Sequence, residues 1–194
     1  MQQSKTRGVT QIMLATVVSA TEDLEQIVQL SDQNIRNKVS QEEKESQGFV
    51  SWSYSFYLLE KMNEQHPHVI VKDGNKVVGY ALVALKNARH FHPDLETMIH
   101  HLDDVSYNDK KLSEFNYYVM GQICIDKSYR GKGIFEMLYQ KHKELFAKEF
   151  DFIVTEISTS NARSLRAHEK IGFQTTYTYR DAMDEWNVVL WDWK

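Results

Sequence analysis

The sequence of 194 residues has one cysteine, two prolines, no excess of basic charge and no long apolar run. Cys124 has no partner within the chain for a disulfide, which favours a reducing compartment and makes the cytoplasm the expected location. No stretch approaches the ~20 apolar residues of a membrane span, so no membrane association is expected. Lys5 and Arg7 ahead of "IMLATVV" and "VSA" loosely resemble a secretion signal. The following "SATE" reads better as a helix capping box from Ser19 to Glu22, entered from a buried first strand. The 23 basic against 27 acidic residues give a formal charge of -4, which argues against nucleic acid as a partner and requires any anion site to be local. The length fits a single domain, 1–194, with the connection 86–114 as an insertion.

Hydrophobic periodicity then divides the chain. "QIMLATVV" predicts a strand, "TEDLEQIVQL" a helix, and "SYSFYLLEKMNEQ" a second helix closed by Pro67. The acidic group Glu42, Glu43 and Glu45 between those helices reads as a solvated surface. "HVIVK" and "KVVGYALVAL" flank Asp73-Gly74-Asn75, a hairpin signal. Residues 86–114 form a connection too long for a plain loop; it contains a helical "PDLETMIHHLDD" and is expected to line an entrance. A strand over 115–126 follows, with Gly121 as a bulge. Next come a helix over 131–148 with Ile134, Leu138 and Leu145 on one stripe, a strand "FDFIVTEIS", and a short helix "NARSLRAHEK" stopped by Gly172. Two strands, "FQTTYTYR" and "WNVVLWDW", end the chain. This order implies a mixed α/β sheet with helices on both faces.

Two stretches carry chemistry. In "RGKGIF" a strand passes into a helix through Arg130-Gly131-Lys132-Gly133, aiming main-chain N–H groups outward at the positive end of a helix dipole, which suits an anion. The glycines leave room for a phosphate to reach the main chain, and Arg130 and Lys132 add attraction. A nucleotide-triphosphate loop and a dinucleotide fingerprint both fail here, the second because position 136 is Glu. In the second stretch, Asn161, Ser164, Leu165 and His168 share one helical stripe that is polar at three of its four positions. Taken singly, Asn161 is an ordinary helix cap and His168 a core-edge or surface histidine.

Together these stretches resemble the GNAT (Gcn5-related) N-acetyltransferase superfamily. The family's Q/R-x-x-G-x-G/A signature falls on Ser128 to Gly133, and its N-x-x-A-x-x-x-Y-x-K-x-G-F-like run on Asn161 to Phe173. The resemblance implies a mostly antiparallel sheet of about seven strands, splayed between the 115–126 strand and the next. It implies acetyl-CoA as cosubstrate, with the pyrophosphate on Arg130, Gly131, Lys132, Gly133, Ile134 and Phe135. It also implies the pantetheine arm along Ile123, Cys124 and Ile125, with Asn161 and Ser164 beside it. The sequence departs from the pattern at Ser128, at Phe135, where many members have a small residue, and at His168, which stands where a tyrosine often protonates the departing thiolate.

The implied reaction is direct attack of a primary amine on the thioester in a ternary complex. The oxyanion would rest on the Ile123 amide, and His168 would be the acid unless the thiolate leaves unaided. Glu114, Asp126, Tyr117 or a water chain could serve as base. Cys124 reads as an inert buried thiol, and no zinc-like spacing joins His90, His92, His100 and His101, so no metal is expected. Acceptor-side candidates are Asp103, Asp104, Asp181, Asp184 and Glu185 for a cationic amine, with Tyr54, Tyr57, Tyr177 and Tyr179 around them; the acceptor could be a small molecule or a peptide. The alternative is a domain that binds acetyl-CoA as a sensor without turnover. The aromatic final strand could pair two copies as a homodimer or complete the sheet.

Overall fold

The computed structural model describes residues 13–40, 42 and 48–194. Residues 11 and 12 of the expected first strand, and Glu43 and Glu45 of the acidic group, lie outside them. Strand β1 (Leu14–Val17) leads into helix α1 (Thr21–Asn34). The expected capping box is replaced by a different contact: Ala20 is the N-cap, and the reaching side chain is Asp23, whose Oδ2 accepts from the Ser19 N–H at 3.2 Å. Asp23 is buried, which brings Lys72 Nζ to its other oxygen at 2.6 Å. Exposed Glu22 has no such constraint. Helix α2 (Phe56–Gln65) starts under the Ser55 hydroxyl, which accepts from the Leu58 N–H.

Strands β2 (Val69–Asp73) and β3 (Lys76–Ala84) form the expected hairpin about Gly74, whose φ of 60° the turn requires. The long connection holds helix α3 (Pro93–Asp104) and a small hairpin, β4 (Ser106–Tyr107) and β5 (Lys110–Lys111), turning through Asn108 and Asp109 at positive φ. Strand β6 (Tyr117–Ile125), helix α4 (Ile134–Phe146), strand β7 (Phe152–Ser158), helix α5 (Ala162–Ile171) and strands β8 (Gln174–Arg180) and β9 (Glu185–Asp192) complete the chain.

Seven strands form one sheet in the order β1-β2-β3-β6-β7-β9-β8. Every pairing in it is antiparallel except β6 with β7. β9 lies between β7 and β8, so both of its edges are occupied and it is not free to pair with a second copy. One core packs α1, α2 and α3 on one face of the sheet; the other packs α4 and α5 on the opposite face. The α4 stripe runs Ile134, Leu138, Tyr139, His142, Phe146, while Leu145, expected inside, is 39% exposed.

Two features open the sheet in its middle. β6 and β7 pair only over Tyr117–Val119 with Phe152–Val154, although β6 continues to Ile125. Opposite β3, two residues of β6, Gly121 and Gln122, face the single Leu82, a bulge that bends the strand where β7 leaves it. Gly121 is required there, because a Cβ would lie 2.7 Å from the Tyr54 hydroxyl, which donates to the Gly121 carbonyl.

Candidate active site

The turn after β6 is built before the helix begins. Asp126 accepts from the Ser128 N–H at 2.9 Å and pairs with Lys76, and the Tyr129 hydroxyl donates to Asp73 at 2.8 Å. Gly131 and Gly133 have φ of 75° and 77°, and apart from their adjoining residues no described residue has an atom within 4 Å of where a Cβ on either would stand. Gly133 caps α4 without a side-chain bond and accepts the Met137 N–H, so the amides of Ile134, Phe135 and Glu136 begin the helix without intrahelical partners. Two unoccupied Cβ positions beside these donors form a cradle of the kind an anion requires.

The cradle opens into a cleft of about 460 Å³ lined by Ile123, Cys124, Ile125, Arg130, Gly131, Gly133, Ile134, Phe135, Asn161 and Ser164. Asn34 and Val50 line it from one face of the sheet, and Arg163, Arg166 and Lys170 from α5. Among the described residues, four basic side chains stand against one acid on its wall, Glu136, and make the local charge there positive within a chain whose formal net charge is -4. Arg130 is held in place, its guanidinium donating to Asn34 Oδ1 at 2.8 Å and to the Ile125 carbonyl at 3.3 Å.

Main-chain direction separates the three residues expected along the pantetheine arm. The Asp126 N–H donates to the Val78 carbonyl of the neighbouring strand. Along a regular strand the direction alternates, so Cys124 also turns its main chain toward β3, and Ile123 and Ile125 turn theirs toward the gap. The expectation for Cys124 is thus corrected: it contributes wall, not main-chain pairing. Its thiol is buried and pushed up to about 12 by that burial, which leaves no thiolate for covalent chemistry.

Two further expected residues are not brought to the cleft by their side chains. The Lys132 ammonium stands over the Tyr129 ring at 4.5 Å and does not line the cleft. His168 is 1% exposed, enclosed edge-on by Phe135, Tyr139 and Phe173. Its Nδ1 lies 2.8 Å from the Ser164 carbonyl, which can only accept, so the ring proton is on Nδ1. Nε2 therefore accepts from the Tyr139 hydroxyl at 2.6 Å. Burial lowers its pKa to about 4, so the ring is neutral, with no proton directed at the cleft. Sequence spacing placed His168 on the Asn161 stripe; Asn161 and Ser164 of that stripe line the cleft, but at His168 it meets the aromatic side of α4. Phe135 leans the same way, its ring 5.1 Å from that of Tyr139, and leaves the glycine cradle open.

Asn161 is the N-cap of α5, accepting from the Ser164 N–H at 3.3 Å, and its Nδ2 donates to the Phe49 carbonyl at 3.1 Å. Both ends of the amide are engaged on the cleft wall.

On the acceptor side the expected acids are engaged within the protein. Asp103 accepts from Tyr117 and Arg89, Asp104 pairs with Lys111, Asp184 with Arg36, and Glu185 with Arg180, while Asp181 accepts two backbone N–H groups of its own turn. The three base candidates are similarly placed. Glu114 caps the 112–114 turn, Asp126 is paired with Lys76, and the Tyr117 phenol, donating to Asp103, is driven far above its ordinary pKa by burial. Sequence reasoning missed Glu156, a carboxylate in the interior strand β7 with a buried oxygen that has no hydrogen-bond partner among the described residues, and weighed His101, which faces it from α3, only among the histidines of a metal site. The available signal was one charged residue inside the apolar strand "FIVTEIS". No group of three or more metal-ligating side chains occurs among the described residues, and no helix among them is long and apolar enough to cross a membrane.

A sheet parted beside a helix start that offers unpaired amides, on a positively charged cleft, suits an anionic ligand with an arm that reaches into the gap. The sequence matches the profile of the Acetyltransferase (GNAT) family over residues 33–173, and the chain belongs to that family. Among solved structures it is similar to the ribosomal-protein-S18-alanine N-acetyltransferase from Escherichia coli, with 12% identity, a TM-score of 0.62, and coverage of 93% of this chain and 94% of that one. It is also similar to an N-acetyltransferase from Staphylococcus aureus Mu50, at 20% identity, a TM-score of 0.62, and coverage of 94% and 99%. A third neighbour is yncA from Salmonella typhimurium, solved with its cofactor acetyl-CoA, at 13% identity, a TM-score of 0.61, and coverage of 94% of both chains. At these identities the likeness is one of fold. No curated protein matches the sequence.

Proposed function

We propose that the protein is an N-acetyltransferase that moves an acetyl group from acetyl-CoA to a primary amine. The observation that carries this reading is the cradle: two positive-φ glycines with open Cβ positions, at a helix start, at the mouth of the gap between β6 and β7. Bound acetyl-CoA supplies an activated acyl carbon as a thioester. The amides of residues 131–136 hold its diphosphate, and the basic side chains of α5 add attraction along the wall. Ile123 and Ile125 present main-chain groups to the pantetheine, and the Ile123 N–H steadies the oxyanion; one such donor is typically worth ~2.7 to 4 kcal/mol. His168 is not assigned the acid. A thiol with a pKa of ~8.5 departs as the thiolate without one.

A second reading, a coenzyme A sensor without turnover, is favoured by one observation: the position that holds the acid in many relatives is here a sealed, neutral histidine. Incubation with acetyl-CoA and a panel of small amines and peptides, monitored for free thiol, separates the two. Thiol release is expected; stabilisation by coenzyme A with no release from any amine would establish the sensor. His168→Phe is expected to lower stability while leaving the pH profile of turnover in place.

A further inference from the structure

Glu156 lies two residues beyond Val154, the last residue of β7 that pairs with β6. By strand alternation its side chain faces the same side as Phe152 and Val154, the side covered by α1, α2 and α3. The cleft is lined from that side by Asn34 and Val50, so a group at Glu156 stands beside the gap on the face away from α4. There the Glu156 side chain is 11% exposed and faces His101, which is 34% exposed. Glu156 Oε1 and His101 Nδ1 are 3.5 Å apart, both buried and neither with a hydrogen-bond partner. A buried carboxylate oxygen without a donor is costly, and the donors that face Glu156 are the imidazole N–H of His101 and the Tyr179 hydroxyl. The Tyr179 ring lies against the imidazole at a centroid distance of 4.0 Å and fixes its plane.

This proposal rests on the transferase reading above. We propose that His101 is the base that accepts the proton of the acceptor amine, with Glu156 as the positioning residue that orients it. With Nδ1–H directed at Glu156, the remaining nitrogen, Nε2, carries the lone pair. The amine nitrogen bonds to the acyl carbon, the carbon–sulfur bond breaks with its electron pair leaving on sulfur, and the proton lost by nitrogen goes to Nε2 and then to water. The spacing of the pair suits a resting state, since catalytic hydrogen bonds are often long before substrate arrives. Glu156 also raises the pKa of His101 against the opposing effect of burial, with smaller contributions from Asp104 on its own helix and Asp181 at the β8–β9 turn. Tyr177 and Tyr179 face it from β8, and beyond Glu156 stand Tyr117, Asp103 and Arg89.

Two measurements test the pair. The ring resonances of His101, followed by NMR through a pH titration of the protein without substrate, are expected to titrate above ~6.5 and to fall by about one pH unit in Glu156→Gln. In turnover, His101→Gln is expected to lose about 100-fold or more in kcat with the KM for acetyl-CoA unchanged, and Glu156→Gln to move the acidic limb of kcat/KM to lower pH. Stabilisation by coenzyme A, retained in both variants, verifies that they fold. A wild-type acidic limb preserved in His101→Gln overturns the proposal, as does a His101 titration indifferent to Glu156→Gln. Wild-type protein that binds coenzyme A and acetylates no amine overturns the transferase reading and this role with it. That result is distinct from failure of the pair alone, in which wild type still turns over.

Discussion

At Gly133 the backbone stands at a φ of 77° with clear space where a side chain would begin, so one position serves both conformation and access. An alanine there takes on ~1–2 kcal/mol of left-handed strain and puts a methyl group into the cradle. Gly133→Ala is expected to raise the dissociation constant of coenzyme A about tenfold or more, measured by titration calorimetry, with a Tm loss of only a few degrees. Lys132→Ala, whose ammonium sits on Tyr129, is expected to leave that constant within about twofold. The glycines were legible as a pair because little else explains two of them where strand becomes helix. His168 was not, because helical spacing tells which residues share a side and is silent on what that side meets.

Among the elements, β6 decides the most. Its bulge at Gly121 and Gln122 begins the divergence from β7, and the Tyr54 hydroxyl holds it from the loop before α2. Gly121→Ala is expected to cost about 1–3 kcal/mol by overpacking, read from the urea midpoint. Because the clash is with the phenol oxygen, 2.7 Å from the added carbon, Tyr54→Phe in the same chain is expected to recover part of that loss. A double-mutant cycle gives the coupling, and strict additivity would show that the bulge does not depend on this contact. A lone glycine in a strand pattern announced the bulge, whereas the partner that makes it necessary is 67 positions away and no local pattern names it. The β4–β5 hairpin escaped notice for the opposite reason: two-residue strands are too short for any periodicity, and Asn108-Asp109 was the only cue.

For the molecule as a whole, three neutral histidines set the acid limit. His68 bridges α2 and β3, its Nδ1 accepting from the Val83 N–H and its Nε2 donating to the Leu59 carbonyl, while His142 bonds the Tyr118 hydroxyl and His168 that of Tyr139. Burial lowers their pKa values to about 4, about 3 and about 4. The unfolded chain takes up protons at these sites from ~6.5 downward while the folded chain does not, so their contribution to stability is whole above ~6.5 and is lost as pH falls toward 4. Three such groups give an upper slope of about 4 kcal/mol per pH unit in that window. The urea midpoint is expected to fall steeply below pH 6, and His142→Asn to remove roughly a third of the slope. A midpoint flat from pH 7 to 5 would contradict the buried, neutral assignment.

The sequence by itself determined the order of the longer elements, the anion-binding helix start and the family resemblance, because each is a local pattern: a period of two or 3.6, paired glycines, and a motif within a dozen residues. Only the tertiary structure decided that β9 lies inside the sheet, that the Cys124 main chain turns away from the gap while Ile123 faces it, that His168 is sealed, and that Glu156 meets His101. Those outcomes depend on which elements pack together across long stretches of chain. Burial and pairing at such distances are properties of the folded whole, not of any segment.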